Sequence, residues 1–523
     1  MKKIFLLNIL FILFLLFNIA GCTKKYTPET KDELKALIDN ESISLDEIST
    51  SKITDMSNLF RESRRKNFQG IENWDVSQVD NMSGMFDKVK FFNEDISRWN
   101  VSKVKNMSKM FSEAVNFNQN IGSWDVSSVE DMSYMFFKAV NFNQDISHWN
   151  VSNVKDMSYM FCYAEPFNAD ISLWNVSNVK NMSGMFAYTH FNQDISKWDV
   201  SSVTNMSRMF LYAENFNQNI GSWDVSNVDN MSSMFSKTIF DKDISHWNVS
   251  NVRDMSYMFA EASNFNQDIG RWDVSNVENM LEMFYEASNF NQDIGRWNVS
   301  HVENMAEMFY EASSFNQDIG FWNTGNVKDM NRMFRGAVSF NQNIGNWNVS
   351  NVENMGGMFF YASSFNQDIG RWDVSNVTNM ELMFAEAKRF NQDISKWNVS
   401  NVVNMKMMFI LALRFNQDIG MWDVSKVRDM HYMFAGAKKF NQNIGRWDVG
   451  SVTDMNNMFL CAVSFNQNIS RWNVSNVENM SEMFYKAASF NQDISSWDMS
   501  NVKTMYDMFK FSPLDTSQPS LYR

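Results

Sequence analysis

The chain is expected to fold as an α/β repeat solenoid, with one parallel strand and one short helix in each coil of about 25 residues. Three observations carry this. The phrase at 271–295, RWDVSNVENMLEMFYEASNFNQDIG, returns at 296–320 as RWNVSHVENMAEMFYEASSFNQDIG. All 18 tryptophans belong to that phrase, from Trp74 and Trp99 to Trp472 and Trp497. Between them, every interval is 25 residues long except two of 24, Trp174 to Trp198 and Trp223 to Trp247. A fixed period of this length marks a stack of supersecondary units, none of which closes a core alone. The repeat therefore overrides the three or four globular domains that 523 residues would otherwise suggest.

Each element has its own justification. Ser275 stands three residues before Glu278, the spacing of a capping box, and the pair recurs at Ser300/Glu303, Ser350/Glu353 and Ser475/Glu478. Val277, Met280, Met283, Phe284 and Ala287 then follow at the spacing of one helical face. Phe290, Gln292 and Ile294 alternate with Asn291, Asp293 and Gly295, the period of a short strand. Both shortened repeats lose their residue between these two stretches, at Phe186–Phe191 and Phe235–Phe240, where a loop tolerates a deletion. Strands from successive coils are expected side by side, over a core of Phe, Ile, Val, Met and Trp.

The flanks read differently. Lys2 and Lys3, an apolar run from Ile4 to Ile19 and the small residues Ala20-Gly21 before Cys22 have the anatomy of a secretory signal peptide. Small residues ending at a cysteine resemble the lipobox of bacterial lipoproteins, which implies cleavage after residue 21 and a lipid on Cys22. The expected order is a signal peptide over 1–21, a tether over 22–30 and an N-terminal capping helix within 31–47. The repeat solenoid then covers 48–511, and a polar tail covers 512–523. The basic run Arg64-Arg65-Lys66 reads as a solvated end of the stack. Cys162 and Cys461 lie twelve repeats apart, which at about 4.8 Å per coil is far beyond the ~7 Å that a disulfide spans.

The elements Trp-Asp-Val-Ser-Asn-Val, Asn-Met-Ser-x-Met-Phe and Phe-Asn-Gln-Asp-Ile, repeated over roughly 50–511, resemble those of the BspA-like leucine-rich repeat surface proteins. That group includes the Mycoplasma lipoprotein-associated repeat family. The resemblance implies a leucine-rich-repeat-like solenoid on a bacterial surface, with adhesion or host-factor binding for some members. It brings no catalytic residues. In this chain Phe, Met and Trp fill the slots that leucine fills in such repeats.

Composition narrows the function further. A net charge of −14 argues against nucleic acid, whose phosphates need a basic face. No phosphate-cradling glycine loop and no nucleophile elbow is present. The five histidines, His148, His190, His246, His301 and His431, show no metal-ligand spacing. The slot after Trp trades Asp for Asn freely, as a turn-capping side chain does and a catalytic carboxylate does not. The Asp of Phe-Asn-Gln-Asp-Ile, as at Asp268 and Asp293, reads as solvated or paired with the arginines before Trp. Trp and Met are expected in the core, each indole N–H satisfied by a neighbouring coil.

Binding then falls to the variable slots. The slot before Trp holds Arg271, Arg296, Phe321, Arg371, Lys396, Met421, Arg446 and Arg471, a row along the surface. The expectation is a non-enzymatic binding or adhesion protein without cofactor or metal. It is held at a bacterial membrane or outer surface by its lipid anchor and takes a protein or glycan ligand. A passive structural or antigenic surface coat is the alternative, and an enzyme a distant third.

Overall fold

The computed structural model describes residues 24–515. The expected signal peptide and Cys22 lie outside the described residues. By its contacts the chain divides into two units. One comprises the chain up to Val203 with Ala213–Gln218; the other comprises Thr204–Tyr212 with the chain from Asn219 onward. Each is a stack of coils.

In the first unit, single parallel bridges run Asp55 to Asn81, Asn106, Asp131, Asp156 and Asn181. In the second, they run from Asn205 through Asn230, Asp254 and Asn279 to Asn479 and Thr504. Each unit is therefore a repeat solenoid whose coils pair in one constant register.

The interior of a coil departs from the expected helix and strand. Among the described residues the one α-helix is α1, Lys31–Asp39, at the N-terminal end. The stretch read as helical is a run of turns. Met283 N–H donates to Met280 O, Tyr285 to Glu282 O and Ala287 to Phe284 O, each three residues back. The alternate N–H groups leave the coil altogether. Met280 donates to Asn304 O at 3.0 Å, Glu282 to Ala306 O at 3.0 Å, Phe284 to Met308 O at 3.0 Å and Glu286 to Tyr310 O at 2.6 Å. Three-residue turns also bring residues 280, 283, 284 and 287 to one side, so the apolar spacing fits both structures. What separates them is backbone handedness: Glu282 and Glu286 sit at φ of +54° and +53°. Equivalent residues in other coils do the same, two per coil, and glycine takes the slot at Gly84, Gly184, Gly336, Gly357 and Gly436. A left-handed L-residue costs roughly 1–2 kcal/mol. Four added intercoil hydrogen bonds at a net ~1 kcal/mol each offset two such residues.

The expected strand is not a strand either. Asn291 N–H donates to the side-chain Oδ1 of Asn266 in the preceding coil at 2.9 Å, and Gln292 Nε2 donates to Asn266 O at 2.9 Å. An asparagine side chain stands where a neighbouring backbone would, so the two chains pair without forming a ladder. The capping box has another use as well. Ser275 N–H donates to Asp273 Oδ1 at 3.1 Å, and Glu278 N–H donates to Arg253 O in the preceding coil at 2.8 Å.

The core is the predicted one. Trp272 is 3% exposed, and Val277, Met280, Met283, Phe284, Ala287, Phe290 and Ile294 are fully buried. Phe284 stacks on Phe290 at 3.9 Å between ring centroids and on Phe309 of the next coil at 5.7 Å. Each indole ties its coil to the previous one, as Trp297 Nε1 donates to Ile269 O at 3.1 Å. In the shortened coils a threonine bridges the tightened turn: Thr189 Oγ1 donates to Phe186 O and Thr238 Oγ1 to Phe235 O, both at 2.7 Å.

The ends correct two readings. Tyr26 pairs with Ile48 and Pro28 is buried, so the fold begins inside the segment read as a tether. Arg65, read as solvated, is 4% exposed. Its guanidinium donates to Ile38 O and Ile43 O at 2.9 Å and to Asn67 O at 2.7 Å, latching α1 and its following loop onto the first coil. A single sequence shows three basic residues in a row, but not that three carbonyls converge on one of them. At the other end Leu514 is 7% exposed, so the last coil runs past Phe511.

Candidate functional site

Three Asx turns per coil account for three of the recurring Asp/Asn slots. Asp273 caps Ser275, Asn279 caps the Leu281 N–H at 3.1 Å, and Asp293 caps the Gly295 N–H at 2.9 Å. Asn and Asp both accept through Oδ1, which is why they interchange. Hydrogen bonds from the serine two residues on hold Asp125, Asp373 and Asp423 below the usual carboxylate range. Asp268 and Asp293 are exposed and form no ion pair with Arg271 or Arg296 among the described residues, so solvation is the account that stands.

The row before Trp lies on the surface of the second unit. Arg271, Arg296, Phe321, Arg371, Lys396, Met421, Arg446 and Arg471 are all exposed, Phe321 at 87% and Met421 at 76%. Arg446 Nη1 points at Met421 Sδ, 3.9 Å away. These side chains stand in succession with no ion pairs among the described residues, flanked by the capping Asp and Asn rows. The row offers exposed cationic and apolar groups.

A second face, missed in the sequence, comes from the left-handed turns. Most non-glycine residues at positive φ are half-buried or exposed, and successive coils align these side chains. In the first unit Tyr134 stacks on Tyr159 at 4.8 Å and Tyr163 on Tyr188 at 4.1 Å, with Lys138 5.6 Å from the Tyr163 ring. In the second unit the residues just before the left-handed ones stack as well, Tyr285 on the buried Tyr310 at 4.4 Å. The Arg335 guanidinium then lies between Tyr310 and Phe360, 4.8 and 4.7 Å from their centroids. Glutamates crowd beside these rings. Burial, reinforced by Glu307 and Glu261, raises Glu282 above its ordinary value, and burial together with Glu282 pushes Tyr257 up to about 12. The sequence signal was available: slots that accept Gly, Asn and many unbranched side chains but no β-branched ones mark positive φ.

Both remaining cysteines are free thiols, and burial pushes Cys162 up to about 12. His301 Nδ1 donates to Ser275 O at 2.6 Å, taking over a bond that asparagine makes in other coils. No group of three or more His, Cys, Asp or Glu side chains suited to a metal occurs among the described residues.

A stack of near-identical coils with its variation on the outside defines a repeat-solenoid protein. The chain belongs to the family described as "Mycoplasma protein of unknown function, DUF285", which it matches over residues 33–147, 131–239, 181–264, 218–322, 311–422 and 412–518. No curated protein sequence matches it. Among solved structures it is similar to the functional domain of InlJ from Listeria monocytogenes, which includes a cysteine ladder. The identity is 8%, covering 81% of this chain and 74% of that one, at a TM-score of 0.22. A leucine-rich repeat protein from Bacteroides ovatus is 9% identical, with 75% and 85% covered and a TM-score of 0.20.

Proposed function

We propose that the chain is a bacterial surface lipoprotein of BspA-like kind, anchored through Cys22, and that it acts as a non-catalytic scaffold binding a protein or glycan of a host or cell surface. One observation supports this above the others. Inside each coil the same residue types recur at the same heights, while the slot before Trp changes from Arg to Phe to Met and stays exposed. A core must be filled at every level, but a surface kept soluble needs no Phe321 or Met421. The net charge of −14 fits a partner that is not a nucleic acid.

The test is capture. The full chain, immobilised through its N-terminus, is presented with matrix proteins, host cells and a glycan array. Saturable binding, competed by free chain and reduced by Phe321→Ser with Met421→Ser, is the expected result. Saturable binding to none of them would favour a passive coat. Anchoring is tested separately: radiolabelled palmitate should enter the protein in bacterial cells and fail to enter Cys22→Ser.

A further inference from the structure

The turn face of the second unit holds an open groove of about 520 Å³. This lies within the roughly 300–1,000 Å³ of ordinary ligand sites. One coil of the row along it carries no side chain. In the row of left-handed residues, Glu286 and Glu311 are followed by Gly336 and then Tyr361. Gly336 carries no side chain, and that of Glu311 leans over it: a Cβ there would stand 2.7 Å from Glu311 Cγ. Glu286 and Glu311 border the groove on one side, the exposed Tyr361 ring on the other, and Ser288, Ser313 and Val338 form its wall.

We propose that this groove receives the cationic side chain of a lysine or arginine from a basic protein partner. Two carboxylates and an aromatic ring around an open space are the groups that hold an ammonium or guanidinium. The serine hydroxyls and the methyls of Val338 suit the aliphatic stem. The same face already holds a cation in this manner: Arg335 lies between Tyr310 and Phe360 in the adjacent row, both of its faces covered. Lys388 stands 5.4 Å from the Tyr361 centroid and limits the approach to that side of the ring, leaving the Gly336 side open. The acidity of the whole chain would draw a basic partner in, and the groove would fix where it docks.

This deepens the reading of the chain as a binding scaffold and rests on it. The test uses the full chain and fluorescein-labelled hexalysine, with fully Nε-acetylated hexalysine as the uncharged control. Hexalysine should bind and the acetylated peptide should not. Glu286→Gln with Glu311→Gln should weaken binding roughly tenfold or more, about the effect of one lost charge-assisted contact. Ser313→Arg, which places a resident cation in the groove, should abolish binding while circular dichroism stays unchanged. Glu303→Gln with Glu353→Gln removes the same charge from exposed positions away from the groove and should change affinity less than twofold. Equal losses in the two glutamate pairs, or no binding of hexalysine, would overturn the proposal. A ligand found by capture that survives Glu286→Gln with Glu311→Gln would leave the scaffold reading intact and remove only the groove.

Discussion

Replacing Trp347 separates what the indole N–H contributes from what its bulk contributes. Trp347 is 3% exposed, and its Nε1 donates to Ile319 O at 3.0 Å. It stacks between Trp322 at 6.2 Å and Trp372 at 6.5 Å. Ile319 O also accepts the Trp322 N–H at 3.2 Å, so losing the indole bond does not strand the carbonyl. The bond alone is then worth a net 0.5–1.5 kcal/mol, roughly, and not the full cost of an orphaned buried group. Trp347→Phe also removes half of a buried ring system. Whole-ring deletions cost about 3–5 kcal/mol, so this part is about 1–2 kcal/mol and the total about 2–3 kcal/mol. Incorporating 3-benzothienylalanine keeps the bulk and removes the N–H, and should cost about 1 kcal/mol. Long repeat arrays do not melt in two states, so the assay is amide hydrogen exchange read coil by coil. Protection should fall in the coils between residues 319 and 372 and stay unchanged from residue 447 onward. An unchanged exchange pattern with benzothienylalanine, or an equal loss far from the site, would refute the account of coils tied pairwise by their indoles.

Three further outcomes follow from the geometry. Arg65→Met leaves three carbonyls without a guanidinium, and charge-assisted bonds of ~1.5–3 kcal/mol each make this a loss of about 4 kcal/mol or more. Hydrogen exchange should show α1 released while later coils hold. Gly436 sits at φ +66°, and a Cβ there would stand 2.5 Å from Leu411 Cδ2; Gly436→Ala should lower the amide protection of the coils around it by about 1 kcal/mol or more. The capping aspartates, Asp373 among them, have folded values held below their ordinary 3.8 by serine hydrogen bonds. Their stabilisation is therefore present above the unfolded value and is lost as pH falls through the lower folded one. The melting temperature should drop below about pH 4, and Asp373→Asn, a residue other coils already carry, should be neutral at pH 7 and slightly flatten that drop.

Much of this was legible because a repeat states each rule many times. Burial of the Trp, Met and Phe in the recurring slots followed from recurrence, and so did the intercoil partner of the indole. The Asp/Asn exchange after Trp revealed an Asx turn. The helix was misread because turns of three residues and a helix both return apolar side chains every three to four positions. Only the sign of φ at residues such as Glu282 distinguishes them. The strand was misread because Asn266 serves its neighbour through a side chain, and alternation alone does not reveal that. The row before Trp was correctly placed on the surface, since its residue types share nothing but exposure. The groove beside Tyr361 is lined by residues of successive coils, from Ser263 to Tyr361, and becomes visible only once the turn face is assembled.

The central claim is that coils of the second unit stack in one register, each advancing the chain by one layer. Pulsed electron paramagnetic resonance between nitroxides tests it most directly. One label goes at Arg296→Cys and the second in turn at Arg371→Cys, Lys396→Cys, Met421→Cys and Arg446→Cys, in a background lacking the native cysteines. Rings in successive coils lie 5.7 and 6.0 Å apart, so the separation should grow by a similar step with every coil. Separations that fail to increase in that order would contradict the stack.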